Sequence, residues 1–218
     1  MSETSFRTID VPPGGGVDVE LEIKRSRFLT RLRRVSTEDA ARAVVEERRS
    51  AHFDARHHCS AFVLGIDGRT ARSSDDGEPA GTAGVPMLQV LQKNALTDVV
   101  AVVTRYFGGI KLGAGGLVRA YSDAVARAVE AVGIREVRLS LLLRIDVDYA
   151  EAGAYEDQLR GLILPSGLAV VVDGVEWTDR AHITVAVQAG GESDFAAALA
   201  TISAGRLTAS PAGQRWVG

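Results

Sequence analysis

A single cysteine, Cys59, stands in the 218-residue sequence. That excludes an internal disulfide framework and suits a reducing cytoplasm. Long apolar runs free of charge are also missing, so no membrane span is expected. The opening MSETSFRTID has neither a basic start nor an apolar stretch, which argues against a secretory signal. Lysine is scarce beside Ala, Val, Gly and Arg, a compositional bias without mechanistic content. The net charge of −3 argues against a protein that coats nucleic acid non-specifically.

The apolar fraction of 46% and charged fraction of 24% are those of a globular chain long enough for one large domain or two small ones. Pro12, Pro13 and Gly14 to Gly16 act as breakers, so residues 1–19 read as a flexible N-terminus. VDVELEIK alternates as a half-buried strand does, and SRFLTRLRRV reads as a second strand. Phe28 and Leu32 share one of its faces; Arg25, Arg27, Arg31 and Arg33 share the other. Ser36 or Thr37 can cap a helix running to about Ser50. CSAFVLGI and GRTARSS read as a hairpin across Asp67-Gly68. VPMLQVLQKN reads as a helix. VVAVVTRYF, nearly all apolar and β-branched, reads as a central strand buried on both faces. A helix from about Gly116 to Val132 follows and ends at Gly133. The order then becomes βαββαβ, with Ser193 as a cap for the last helix, which is a ferredoxin-like pattern. The fold class expected is therefore α+β, with domains at 20–133 and 138–218.

Four places can carry chemistry. Lys24, Arg25, Arg27, Arg31, Arg33 and Arg34 put six positive charges into eleven residues with no acid among them. Such a row fits successive RNA phosphates, or equally an edge strand blunted by charge. Within RYFGGIKLGAGGLVRAY, the glycines Gly108, Gly109, Gly113, Gly115 and Gly116 precede a helix. Exposed N–H groups there favour an anion, with Arg105, Lys111 and Arg119 nearby; close packing around a tight turn is the alternative. SSDDGEPAGTAG offers Asp75, Asp76 and Glu78, which suit a hard cation or proton transfer, or else a solvated turn with Thr82 capping the next helix. DARHHCSAF holds His57, His58 and Cys59. Successive strand residues alternate in direction, so the three do not close a zinc site, and His57 is expected as a hydrogen-bonding residue at a rim.

KRSRF, DARHHCSAF, SSDDGEPAGTAGVPML and VVTRYFGGIKLGAGGLVRAY, in this order and spacing, resemble the YigZ/IMPACT family over about residues 20–132. The resemblance implies a first domain like domain 2 of ribosomal protein S5 and a smaller ferredoxin-like second domain. It carries the family's motif onto Ser26, Arg27, Phe28, His57, Asp75, Asp76, Gly77, Glu78, Gly81, Thr82, Gly84, Arg105, Gly108, Gly109, Gly113, Gly115, Gly116 and Tyr121. It implies a role in or near translation: eukaryotic members bind the activator of a stress kinase that phosphorylates an initiation factor. The expected protein is a non-enzymatic, translation-associated regulator that binds RNA, the ribosome or a translation-related protein, without cofactor or metal. The alternative is a Mg²⁺-dependent enzyme acting on a phosphorylated small molecule at the glycine-rich cleft. The acidic loop, His57 and the glycine turn are expected together, with Arg105 paired to Asp75 or Glu78.

Overall fold

The computed structural model describes residues 4–217. The chain divides into two compact units, one ending at Glu136 and one beginning at Val137. The first contains β1 (Ser5–Ile9), β2 (Gly16–Ile23), β3 (Ser26–Arg34), α1 (Glu38–Ala51), β4 (His57–Leu64), β5 (Thr70–Ser74), α2 (Gly84–Lys93), β6 (Val99–Tyr106) and α3 (Ala114–Val132). β7 (Ile134–Val147) runs through the boundary. The second unit continues with α4 (Tyr149–Arg160), β8 (Val171–Trp177), β9 (Ala181–Gln188), α5 (Glu192–Ile202) and β10 (Ala209–Val217). The fold is α+β.

In the first unit the sheet order is β2-β3-β6-β4-β5, every neighbour antiparallel. β6 sits in the middle because both of its faces are apolar. Val99, Ala101 and Val103 join Phe28, Leu32, Met87, Leu91 and Tyr121 in one core beneath α2 and α3. Val100 and Val102 join Ala41, Val44 and Phe62 in a second core beneath α1. Each such fully buried aliphatic side chain is worth about 1.5–3 kcal/mol. Thr37 caps α1 by accepting from Ala40 N–H at 3.2 Å.

Several expectations are corrected. Residues 5–9 are not loose: β1 buries Phe6, Thr8 and Ile9. Its Arg7 carbonyl accepts from Thr97 N–H at 2.9 Å, and Asp10 N–H donates to Gly133 at 3.1 Å. Ile9 enters the core that β6, α2 and α3 make. Arg25 does not lie on the strand face. Ile23 pairs with Ser26, which leaves Lys24 and Arg25 as a two-residue loop with φ of 48° and 66°. Positive φ at both central positions is the type I′ geometry that matches strand twist. Thr82 does not cap α2; its hydroxyl donates to Pro79 O at 2.7 Å. Ser193 lies inside α5, whose N-cap position is Gly191.

The second unit has the order β10-β7-β9-β8, all antiparallel, with its first strand between its fourth and third. Ile145, Val147, Ile183, Val185 and Val187 meet Tyr155, Leu159, Phe195 and Leu199 of the two helices. This is the ferredoxin-like arrangement that βαββαβ order specifies.

Candidate functional site

The acidic loop between β5 and α2 is held to α1, β4, β6 and α3 by Asp76 and Glu78, while the Asp75 carboxylate turns back on the loop itself. Asp75 takes backbone N–H groups from Gly81 at 2.8 Å, Ala83 at 3.0 Å and Gly84 at 2.8 Å. It performs from nine residues upstream the capping expected of Thr82. Burial alone would raise its pKa, but these three N–H groups hold it below the usual value. Asp76 accepts from Arg49 at 2.7 Å and from His58 N–H at 2.6 Å. Its carbonyl meets His57 Nδ1 at 3.0 Å.

Glu78 goes deepest. Its side chain is 4% exposed and pairs with Arg105, 7% exposed, at 2.6 Å. Tyr121 donates to the same carboxylate at 2.8 Å. Arg105 lies between the rings of Phe28 and Phe107, 5.4 and 5.7 Å from their centroids. Cys59 donates to the Asp75 carbonyl at 3.0 Å, and burial pushes its thiol up to about 12, so it is no nucleophile. Burial likewise raises Tyr121. His57, His58 and Cys59 diverge: His58 is buried against Thr104 Oγ1 at 3.1 Å. Each carboxylate of the loop therefore already serves donors of this chain, and a cation would have to displace them.

A cavity of about 280 Å³ adjoins this network, lined by Asp54, Ala55, Arg56, His57, Arg105, Tyr106 and Phe107. Tyr106 donates to Asp54 at 2.9 Å and meets His52 Nδ1 at 3.1 Å. None of the loop carboxylates, and none of Gly108, Gly109, Lys111, Gly113, Gly115, Gly116 or Arg119, lines it.

The arginines of β3 are occupied. Arg27 makes a two-bonded pair with Glu20 at 2.6 and 3.0 Å. Arg31 binds Asp18, which also lies 3.3 Å from Arg48. Arg33 pairs with Glu47 at 2.7 Å. Arg34 shares the face of Leu32 and donates to Val11 O at 3.2 Å. The face expected to be bare and basic is an alternating ladder of charge.

The loop ahead of β3 differs. Gly108 N–H donates to Ser26 Oγ at 3.2 Å, which also receives Arg105 at 3.4 Å. A Cβ on Gly108 would lie 2.0 Å from the Arg25 carbonyl carbon. Only glycine lets the turn of Lys24 and Arg25 rest on the glycine-rich segment. Gly109 and Gly113 take φ of 84° and 72°. α3 begins without a side-chain cap or an acid in its first turn. Lys24, Arg25, Lys111 and Arg119 are exposed, and among the described residues none has an acid within ion-pair distance. Phe107 and Ile110 are exposed beside them. Sequence reasoning missed this juxtaposition and the Tyr106–Asp54–His52 contacts. The two-residue loop implied by the break in alternation after Ile23 was the available signal for the first.

This is a two-unit α+β protein whose first unit is organised around a buried acid–arginine–tyrosine network. Residues 24–129 match the Impact N-terminal domain. The chain belongs to the IMPACT family: it is 39% identical over 200 residues to family member YigZ of Escherichia coli (strain K12), covering 89% of this chain and 94% of YigZ. It is 48% identical over 141 residues to YvyE of Bacillus subtilis (strain 168), spanning 65% of each. A solved structure described as a hypothetical protein superposes with a TM-score of 0.59 at 36% identity, covering 95% of this chain and 97% of that one.

Proposed function

We propose that this protein is a non-enzymatic, translation-associated regulator that binds RNA or the ribosome, with the β2–β3 turn and the glycine turn as the contact. The observation that carries this reading is the seating of Lys24 and Arg25 against Gly108. It joins two segments about 80 residues apart whose exposed cations are unpaired, while Arg27, Arg31 and Arg33 of β3 are spent on acids. Unpaired cations neutralise phosphates without first breaking an internal pair. The uncapped start of α3 adds backbone N–H groups, and exposed Phe107 offers a ring for an unstacked base. Family membership supports the translational context. A Mg²⁺-dependent reaction would need loop carboxylates that are engaged with Arg105, Tyr121, Arg49 and backbone N–H groups.

The test is fluorescence polarisation with single-stranded RNA, duplex RNA and ribosomes across a salt series. The combined variant Lys24→Asn, Arg25→Gly, Lys111→Ala keeps the turn's backbone preference and removes three charges. It is expected to weaken binding at least about tenfold and to lower the salt slope by roughly one for each phosphate no longer neutralised. Unchanged affinity in this variant would overturn the assignment of the surface. Absence of binding at low salt would overturn RNA and ribosome binding altogether.

A further inference from the structure

The second unit has a surface of opposite character. From Val137 to Gly218 the sequence holds ten acidic and six basic residues and no lysine, a net charge of −4; the remainder of the chain has 19 basic and 18 acidic residues. A polyanion is repelled by such a body. Yet two aromatic side chains stand on it outside the core. Tyr149 opens α4 and Trp177 ends β8. Their rings are nearly parallel, 7° between planes, with centroids 5.6 Å apart. They remain 51% and 56% exposed. Two exposed hydrogen bonds tie the neighbouring residues together: the Tyr149 hydroxyl donates to the Thr178 carbonyl, and Arg180 donates to Asp148 at 2.7 Å. Asp179, two residues beyond Trp177, has a side chain that is 87% exposed; it takes the Thr178 hydroxyl at 2.8 Å and the backbone N–H groups of Asp179 and Arg180, with a His182 nitrogen 3.7 Å away.

Half-exposed stacked aromatic rings, with Asp148 and Asp179 beside them in the sequence, on an acidic body match one ligand chemistry. A guanidinium stacks flat on an indole or phenol ring and pairs with a carboxylate at its edge, whereas a compact, strongly hydrated ammonium does this less well. We propose that the Tyr149–Trp177 pair is the docking platform for an arginine-rich segment of a partner protein. The charge complementarity is the local counterpart of the −4 of the unit. This site is independent of the RNA contact assigned to the first unit.

The experiment titrates the full chain into a fluorescein-labelled nine-residue arginine–glycine peptide, with a lysine–glycine peptide and a nine-nucleotide oligo(U) in parallel. The arginine peptide is expected to bind more tightly than the lysine peptide. Trp177→Ala is expected to weaken it about five- to thirtyfold, and Trp177→Phe by less. Asp179→Asn is expected to flatten its salt dependence. Circular dichroism establishes that the variants are folded. The variant Lys24→Asn, Arg25→Gly, Lys111→Ala should bind the peptide as the parent does, so the two surfaces fail or stand separately. Equal peptide affinity in Trp177→Ala, equal affinity for the two peptides, or loss of oligo(U) binding in Trp177→Ala would each overturn the platform as an arginine site.

Discussion

Glu78 meets Arg105 and Tyr121 where water does not reach, so neither charge can be removed alone without stranding the other. Glu78→Ala or Arg105→Ala should each destabilise the protein by about 3–5 kcal/mol. The double variant Glu78→Leu, Arg105→Met should lose clearly less than the sum, because it leaves no orphaned ion; urea denaturation measures all three. The pairing of Arg105 with the loop was legible as one of two options, since a charged residue ending a buried strand needs an acid. The capping by Asp75 was not, because cap signals are sought beside a helix start and this carboxylate arrives from nine residues away.

Titration at the same scale sets the acid limit. Burial holds His58 below its ordinary pKa. Between that lowered value and about 6.5 the unfolded chain binds more protons than the native one, so stability falls as pH drops through this window. Asp75 has a lowered pKa, so its contribution is present above about 3.9 and is lost as pH falls through the folded value. Melting temperature against pH should decline in two stages. His58→Gln should reduce the upper stage, to which His52 also contributes, and Asp75→Asn the lower, which it shares with Glu20, Asp146 and Asp179.

At the scale of elements, β3 was readable because Phe28 and Leu32 alternate with arginines, and β6 because Val99 to Val103 are apolar on both faces. What such a pattern does not contain is register. Asp18 stands opposite Arg31 only because Lys24 and Arg25 form a two-residue loop. Arg27, Arg31 and Arg33 therefore read as bare although their acids lay on the neighbouring strand and on α1. β1 was hidden by the breakers that follow it. Gly108→Ala places a methyl group into the Arg25 backbone and should cost about 1–3 kcal/mol, through displacement of the β2–β3 turn. Such a variant should also lose RNA affinity without any change of charge, which polarisation at constant salt would read.

Across the whole molecule, the α+β class was legible in the order of elements, and the βαββαβ string after Gly133 specified the second sheet. Surface chemistry was less legible, because a charge shows in a sequence and its partner across a sheet does not. The consequence is plainest on β3. Asp18 and Glu47 are tethered competitors of any phosphate that approaches Arg31, Arg33 or Arg48. Tethering gives a competing group an effective concentration on the order of millimolar or more, above that of most free oligonucleotides. RNA arriving there trades one anion for another and leaves the displaced carboxylates beside its own phosphates. Asp18→Asn with Glu47→Gln should therefore raise oligonucleotide affinity at low salt and steepen its salt dependence, the reverse of what removing charged side chains does at a working site. The arginine face of β3, which looks most like a nucleic-acid contact in the sequence, is one that the fold has already paired with its own acids.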